Sequence, residues 1–433
     1  MNDFIILTCF MAVAIVTSLG VAVDDSDDMN VIQANQVLSN IEKGEPINLL
    51  NVLIVGDLDV RKIDLPLDRH INSSIIIKDS FINGAVNFND TIFERPIIFD
   101  KTTILGPANF FLTQFKEDFD FSDSQFNDTA TFRKAQFYRS ANFARSKFGK
   151  FADFYKSYFI GELANFEGTE FEGAVNFYYA QFDAENVNFE FSRFKGSVSF
   201  WRTKFSGFTD FVGCHFYESA DFTLAQFKAP VDFIGTEIDK SIYLNDLDFT
   251  TLKVNWESIK DKLICNGPSY LRLVKSFREQ EQFEDADSCY YNYRNWKRDN
   301  RPLGWLKLFD YIAWISCGYG VRWHHPILSG FLVVILFGIY FELEYIIRAT
   351  INLIIKRNLV SSMNSDLGGR LKKASSISAL ILLSLPAEWY PSRSELYRKT
   401  VNSHVYSATL ERLIGWGLML LLVGTLTRLM VRY

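Results

Sequence analysis

The stretch that decides the fold is residues 130–159, ATFRKAQFYRSANFARSKFGKFADFYKSYF. Its regularly placed phenylalanines follow one another at steps that alternate between five and six residues: Phe132, Phe137, Phe143, Phe148, Phe154 and Phe159. That period matches neither the 3.6 residues of a helical turn nor the two-residue alternation of a long strand. It indicates a chain that turns a corner every five or six residues.

The same spacing extends in both directions from this stretch. The sequence contains 41 phenylalanines, and most of them lie within residues 81–249. The step lengthens to seven residues only into Phe166 and Phe189. The position two residues before each Phe is usually small, as at Ala108, Thr113, Ser124, Ala130, Ala141, Ser192, Thr203 and Cys214. Residues two apart on an extended segment point to the same side, so each short face should direct one large and one small side chain inward.

Four such faces make a coil of 22 residues, and the marks from Phe88 to Leu244 delimit seven coils. A single coil cannot bury its inward side chains, so stacked coils are expected to share one continuous core. The predicted structural core includes phenylalanines from successive coils: Phe110, Phe132, Phe143, Phe154, Phe177, Phe200 and Phe222.

The recurring Ala-Asn-Phe and Ala-Asp-Phe triplets resemble the pentapeptide-repeat family in its Phe-centred form. They occur at residues 108–110, 141–143, 164–166 and 220–222. The resemblance covers roughly residues 80–250, and it implies a right-handed, four-sided β-helix whose handedness comes from the resemblance alone. The expected fold class is therefore an all-β solenoid (a right-handed quadrilateral β-helix) followed by a C-terminal α-helical spacer and transmembrane helices.

The N-terminal flank contains an apolar run. Residues 4–23 carry no charge and precede the acidic stretch at residues 24–28. Residues 1–23 are therefore predicted to be a signal peptide, cleaved near Ala22, or a retained N-terminal anchor. Either interpretation places the following chain outside the cytoplasm. We expect an N-terminal cap and irregular first coils over residues 24–79, and the solenoid over residues 80–250.

The C-terminal flank is expected to hold a helical spacer at residues 251–325 and a membrane region at residues 326–433. Two uncharged runs, residues 326–341 and 413–427, predict two spans, although each is shorter than about 20 residues. Between them, residues 348–373 hold six basic residues and one acid. The positive-inside rule places that loop in the cytoplasm, which agrees with a cell-membrane protein whose solenoid is extracytoplasmic. Membrane lipid is then a partner.

A short apolar segment at residues 375–385 lies between the two spans. This order resembles the degenerate two-helix potassium-channel domains of some pentapeptide-repeat membrane proteins, chiefly through residues 411–416. The resemblance places a pore-like segment at Ser384, Leu385, Pro386, Ala387 and Glu388, which lacks the glycines of a carbonyl-lined potassium filter. An oligomer follows if the chain is channel-like. An extracytoplasmic solenoid would place this segment on the cytoplasmic side, opposite to such channels.

No motif for catalysis, a cofactor or a metal is present in the sequence. The five histidines show no HxxH spacing and the five cysteines no CxxC pair, and no phosphate-binding loop or nucleophile elbow occurs. We therefore expect no enzyme activity. Cys265 and Cys289 are the cysteines that would pair in an oxidising compartment. Asn72, Asn89 and Asn127 match the N-glycosylation pattern.

Surface charge is the one remaining signal. Residues 133–156 contain seven basic residues and one acid, whereas residues 162–190 contain seven acids and no base. Ordinary solubility explains this difference, and an electrostatic docking surface for a protein partner is the alternative. The net charge of −6 gives no signature of nucleic-acid binding.

The sequence favours a membrane-anchored, non-enzymatic binding or scaffold protein with an extracytoplasmic solenoid. The alternative is an ion-channel-like membrane protein with a degenerate pore segment that is not potassium-selective. A third hypothesis comes from cytoplasmic pentapeptide-repeat proteins that mimic DNA and bind topoisomerases. The predicted secretion signal and the mixed charge argue against it.

Overall fold

The computed structural model describes residues 29–65, 69–356, 375, 378–379, 381–383, 401–402 and 405–430. The chain divides into two compact units, residues 1–281 and residues 282–433. The predicted signal or anchor at residues 1–23 and the pore-like segment at residues 384–388 lie outside the described residues.

The first unit winds through four parallel β-sheets, which we name faces 1 to 4 in the order in which each coil visits them. Each strand pairs in parallel with the strand one coil earlier, as Ala108 does with Ala130. Parallel pairing at this offset is what a stack of 22-residue coils requires. The structure therefore confirms the predicted four-sided β-solenoid.

Face 1 has the strands Ile47–Leu50, Ile75–Lys78, Ile97–Ile98, Phe119–Asp120, Ala141–Asn142, Leu163–Asn165, Asn186–Asn188, Phe208–Asp210, Val231–Asp232 and Leu252–Lys253. Face 2 has the strands Asn30–Gln33, Val52–Val55, Phe81–Asn83, Thr103–Ile104, Gln125–Phe126, Lys147–Phe148, Glu170–Phe171, Arg193–Phe194, His215–Phe216 and Glu237–Ile238.

Face 3 has the strands Leu58–Asp59, Val86–Asn87, Ala108–Asn109, Ala130–Thr131, Ala152–Asp153, Val175–Asn176, Val198–Ser199, Ala220–Asp221, Ile242–Tyr243 and Leu263–Ile264. Face 4 has the strands His70–Ile71, Ile92–Phe93, Gln114–Phe115, Gln136–Phe137, Tyr158–Phe159, Gln181–Phe182, Lys204–Phe205, Gln226–Phe227 and Asp248–Phe249.

The solenoid has more coils than the seven delimited by the regular aromatic marks, since three faces have ten strands each. In the first coils, aliphatic side chains take the inward positions: Ile54, Leu58, Ile71, Ile75, Ile82 and Val86 are all essentially buried. The Phe spacing does not reveal these coils because their core contains no Phe, although their backbone follows the same path.

The interior is a stack of phenylalanine rings. Along one series, ring centroids are 4.8 Å apart from Phe110 to Phe132, 4.9 Å from Phe132 to Phe154 and 4.8 Å from Phe154 to Phe177. The structure places all seven predicted core residues in complete burial: Phe110, Phe132, Phe143, Phe154, Phe177, Phe200 and Phe222. The spacing of these rings equals the distance between neighbouring strands, so each coil contributes one layer to the core.

The small residues of the repeat are also buried, and those with hydroxyl groups have a second role. Thr113 donates a hydrogen bond of 2.7 Å to the carbonyl of Phe88 one coil earlier, and Thr203 does the same to Phe177. A small side chain thus leaves room for the neighbouring ring and satisfies a buried carbonyl. One coil departs from this pattern, because Phe119 takes a small-residue position and packs 4.6 Å from Phe121.

Both ends of the solenoid are covered by helices. Helix α1 (Ala34–Glu42) follows the first strand and buries Ala34, Val37, Leu38 and Ile41, and a 3-10 turn (Val60–Lys62) follows in the next coil. Helices α2 (Trp256–Ile259) and α3 (Gly267–Glu279) follow the last coils, with the rings of Trp256 and Phe277 6.0 Å apart. Gln280 donates to the carbonyl of Leu252 on the last strand of face 1. Capping of this kind hides an otherwise unpaired sheet edge.

The second unit is helical. It contains α4 (Phe283–Asp299), α5 (Trp305–Cys317), a 3-10 turn (Gly318–Gly320), α6 (His324–Lys356) and α7 (Val405–Met430). Two segments are long and apolar enough to cross a membrane, residues 324–343 of α6 and residues 405–428 of α7, and they are only 22% and 17% buried. Core helices of a soluble protein are mostly buried, so this exposure supports the two predicted spans and indicates membrane association.

Candidate functional surfaces

The corner between face 3 and face 4 has the same backbone geometry in successive coils. Two residues follow the inward Phe, and the second has φ between 51° and 59°: Asp90, Leu112, Lys134, Lys156, Tyr179, Arg202, Leu224 and Asp246. A polar side chain on the face 3 strand holds the turn. Asn109, Asn176 and Asp221 each accept a hydrogen bond from the backbone N–H two residues later. This explains the Ala-Asn-Phe triplet, in which Ala and Phe point inward and Asn stabilises the corner.

Large aromatic and basic side chains occupy this corner in five consecutive coils. We name as the aromatic corner the surface formed by Phe111, Leu112, Arg133, Lys134, Tyr155, Lys156, Tyr178, Tyr179, Trp201 and Arg202. Its rings contact one another from coil to coil in tilted arrangements, with centroids 5.5 Å apart between Tyr155 and Tyr178 and 4.4 Å apart between Tyr178 and Trp201. Desolvation and the neighbouring Tyr179 raise the pKa of Tyr178, so its hydroxyl stays protonated at neutral pH.

The basic side chains of the aromatic corner lie against its rings. The guanidinium of Arg133 is 4.7 Å from the ring centroid of Tyr155, and that of Arg202 is 4.3 Å from the centroid of Trp201. The Lys156 ammonium lies 5.2 Å from Tyr155. These are cation–π distances. Arg133 also pairs with Asp153 at 3.2 Å.

Basic residues elsewhere on the solenoid pair with acids of a neighbouring coil. Lys147 lies 3.0 Å from Glu172, Arg145 lies 2.7 Å from Asp123, and Lys150 lies 2.9 Å from Asp128. The change in charge sign between successive coils therefore supports pairing along the solenoid. Opposite charges separated by one coil length are the sequence signal that identifies such pairs.

Acidic residues in adjacent coils have different environments. Hydrogen bonds from Lys195 and Lys147 hold the pKa of the Glu172 carboxyl below its ordinary value. Burial and the nearby carboxylates of Asp210, Glu167 and Asp232 raise the pKa of Glu190. The pKa values of these two carboxyls are thus shifted in opposite directions, although both residues belong to the same acidic block of sequence.

In the helical unit, a buried acid joins α4 to α5. The Asp310 carboxylate accepts hydrogen bonds from Arg294 at 2.9 Å and from Arg301 at 2.7 Å. The guanidinium of Arg298 lies 5.0 Å from the ring centroids of Tyr311 and Trp314. Other side chains of α5 and its approach are exposed and apolar: Leu303, Trp305, Leu306, Phe309, Ile312 and Ile315. An amphipathic helix of this composition, a few residues before a span, is typical of a membrane interface.

A short helical piece, described at residues 378–379 and 381–383, packs between the two apolar helices. Ser378 donates a hydrogen bond to the fully buried carboxylate of Glu411 in α7. A Cβ at Gly415 would lie 2.0 Å from the carbonyl oxygen of Leu382, so glycine permits this close approach. An apolar cavity of about 290 Å³ lies beside the contact, lined by side chains of all three segments. The sequence did not identify Glu411 as a buried group; an acid at the edge of an apolar run was the available signal.

The remaining predicted residues lie on the solenoid surface or outside the described residues. Asn72 is exposed, whereas Asn89 and Asn127 are half-buried. The pore-like residues Ser384, Leu385, Pro386, Ala387 and Glu388 lie in the part of the chain that is not described. Among the described residues, no group of three or more His, Cys, Asp or Glu side chains has the arrangement of a metal site.

The described cysteines are all buried and form no disulfide with one another: Cys214, Cys265, Cys289 and Cys317. The pairing considered for Cys265 and Cys289 is therefore not formed. Burial raises the pKa of the Cys265 thiol to about 12 and that of Cys214 well above its ordinary value. A thiol that stays protonated and inaccessible is a poor nucleophile, so these side chains serve packing.

Comparison with known proteins bears on the repeats alone. A family model described as pentapeptide repeats (9 copies) matches residues 88–136, 160–204 and 192–237. No curated protein and no solved structure matches the chain. The likeness of the C-terminal region to potassium-channel domains receives no support from these comparisons. The matched residues hold many of the stacked phenylalanines, so these parts of the solenoid consist of Phe-rich pentapeptide repeats.

Proposed function

We propose that this chain is a membrane-anchored, non-enzymatic binding or scaffold protein that presents its solenoid on the extracytoplasmic side. The observation that carries this proposal is the filled interior of the solenoid. Its rings are completely buried and stack at one layer per coil, as with the 5.0 Å between Phe177 and Phe200. A solenoid packed in this way offers its outer surface for recognition.

The helical unit supplies the anchor in this proposal. Residues 324–343 and 405–428 have the length and exposure of membrane spans. The exposed apolar residues of α5 add contact at the lipid interface, where Trp305 is 79% exposed. Tryptophan and tyrosine are enriched at that level of a membrane. The orientation rests on two separate sequence features, the apolar run at residues 4–23 and the basic loop at residues 348–373.

Cysteine labelling in intact cells tests the orientation. The exposed position Gln125 on face 2 carries one introduced cysteine, Gln125→Cys, and the basic loop carries another, Ser361→Cys. We expect an impermeant thiol reagent to label the first before lysis and the second only after lysis. The unsubstituted chain is the control, because its described cysteines are buried. If Gln125→Cys reacts only after lysis, the solenoid is cytoplasmic and the proposal fails.

A channel-like function is the second candidate, and the packing of residues 378–379 and 381–383 between α6 and α7 favours it. Phe341, Ile381 and Ala408 form one buried cluster that joins the three segments. This arrangement suits a short segment held between two spans. We expect purified protein in planar bilayers to show no potassium-selective current, because Leu385, Pro386 and Ala387 supply no filter glycine. A current without preference for potassium would support the channel-like function over the scaffold, whereas a clear preference for potassium over sodium would contradict the prediction of a degenerate pore segment.

A further inference from the structure

Two diagonally opposite corners of the solenoid share one backbone conformation but differ in sequence. Between face 1 and face 2, the residues with positive φ are Asn51, Asp79, Lys101, Asp123, Arg145, Gly168, Phe191, Gly213 and Gly235. Glycine thus fills three of these nine positions, whereas it fills none of the eight named above between face 3 and face 4. A non-glycine residue in this region costs about 1 kcal/mol relative to glycine. Retention of large side chains at the second corner therefore indicates a role beyond folding.

The side chains retained there form one continuous strip. Tyr155, Tyr178 and Trp201 contact one another from coil to coil in tilted arrangements, and Lys156 and Arg202 lie against their rings. In the described part of the chain, Lys134, Lys156 and Arg202 have no carboxylate within ion-pair distance. At the opposite corner, Lys101 has none among the described residues either, whereas Arg145 pairs with Asp123. The aromatic corner thus offers positive charge that the solenoid itself does not neutralise.

The chemistry of this strip selects for anions. Its rings lie tilted against one another and are half-buried, whereas the basic side chains of Lys134, Lys156 and Arg202 are exposed to the solvent. The edge of an aromatic ring carries the positive part of its quadrupole, and hydroxyl and guanidinium groups donate to carboxylates. Sugar rings stack on free ring faces, so this geometry suits them less.

Tyr, Trp and Arg are also the residue types that dominate hot spots of protein–protein interfaces. We propose that the aromatic corner is the docking surface for an acidic segment of a partner protein, which lies along the solenoid axis. This inference rests on the proposed function, since a scaffold with a filled interior acts through its outer surface.

A peptide-binding measurement tests the inference with the purified full chain in detergent. The probe is a fluorescein-labelled oligoglutamate, followed by fluorescence anisotropy at low salt. The test variant combines Lys156→Gly and Arg202→Gly, and the control combines Lys101→Gly and Arg145→Gly. All four positions have positive φ, so glycine relieves strain at each of them and loss of folding does not explain a loss of binding. Both variants remove the same charge.

We expect the test variant to bind the oligoglutamate about tenfold more weakly and the control to stay within about twofold of the unsubstituted chain. Equal weakening in both variants, or no binding by the unsubstituted chain, would overturn the proposal. So would tighter binding of a heparin-derived oligosaccharide or of phosphatidylserine vesicles through the same two residues, because the partner class would then be wrong.

The result is separable from that of the orientation experiment. Anisotropy in detergent does not depend on the side of the membrane that the solenoid occupies. If the peptide-binding experiment fails while Gln125→Cys is labelled in intact cells, the docking proposal is wrong and the proposed function still holds. If Gln125→Cys is labelled only after lysis, the proposed function is wrong, whether or not the peptide binds.

Discussion

Large apolar side chains are buried in the solenoid but exposed on the C-terminal helices. Phe143 in the solenoid is completely buried, whereas Phe331 in the first apolar helix is 64% exposed. The two units therefore meet different solvents: the solenoid excludes water by stacking on itself, and the helices present hydrocarbon outward, as a lipid environment requires. Apolar composition alone does not distinguish a packed core from a lipid-facing helix, but the burial of the phenylalanine side chains does.

The largest expected effect comes from truncating one ring in each unit. Phe143→Ala removes a layer whose neighbours, Phe132 and Phe166, lie 5.2 Å and 4.9 Å away, and it should lower the free energy of unfolding by about 3–5 kcal/mol. Phe331→Ala, in detergent, should change it by less than about 1 kcal/mol because its ring has little protein around it. Chemical unfolding followed by circular dichroism measures both. Equal losses would show that the helix is a packed core element.

The second largest effect is expected from a lysine introduced at an exposed apolar position, which should have different consequences in the two units. Leu336→Lys in α6 should disfavour membrane insertion by about 2.5–3.5 kcal/mol, as lysine does near the centre of a span. Phe191→Lys on the solenoid, where the side chain is 60% exposed, should change stability by less than about 0.5 kcal/mol. The readouts are the fraction of protein that resists extraction from membranes and the unfolding free energy. Full insertion of Leu336→Lys would contradict a lipid-facing α6.

An intermediate effect is expected on the outward side of the coils. The outward position of Asn142 alone predicts a cost under about 0.5 kcal/mol for Asn142→Ala. In the structure, Asn142 donates to Asp120 and accepts from Asn165, and so links three coils. We therefore expect a loss of about 1 kcal/mol in unfolding free energy. Gln125→Ala, at an exposed position on face 2, is the comparison, and an equal loss there would show that the Asn142 links add nothing.

The smallest effects come from two glutamates with opposite pKa shifts. The pKa of Glu172 is lowered from 4.5, so its ionised form stabilises the fold above that pH and the gain is lost as the pH falls. The pKa of Glu190 is raised from 4.5, so its contribution is present below that pH and is lost as the pH rises. At pH 7, Glu172→Gln should destabilise and Glu190→Gln should stabilise, each by roughly 0.2–1 kcal/mol. Melting curves at pH 7 and pH 3 test this, and shifts of the same sign would contradict it.

Sequence reasoning reached most of the solenoid because its core repeats one physical rule. A large side chain every five or six residues, with a small one two positions earlier, fixed the corners and the inward faces. It predicted the first coils only as irregular ones, because Ile and Val replace Phe there without a distinctive spacing. It also did not anticipate the close approach at Gly415, because contact between Gly415 and Leu382 depends on how distant segments pack.

The candidate surface illustrates the same limit. Spacing showed that residues 133–156 are basic and that the next coils are acidic, but not which charges meet. In space, Lys147 and Arg145 find carboxylates in adjacent coils, whereas Lys156 and Arg202 lie on aromatic rings. Only the fold separates a basic block into paired residues on one side and unneutralised residues along one corner.

The parallel pairing between coils also determines how the solenoid responds to mechanical load. Backbone hydrogen bonds of all four faces run along the solenoid axis, as the pairing of Ala130 with Ala108 and Ala152 shows. Tension between a membrane anchor and a bound partner would therefore act on the coils in series, and the coil at the end would detach first. Each detached coil of 22 residues would release about 75 Å of extended chain. The chain would lengthen in discrete steps under load, and the coils that have not detached would keep their outer surface intact.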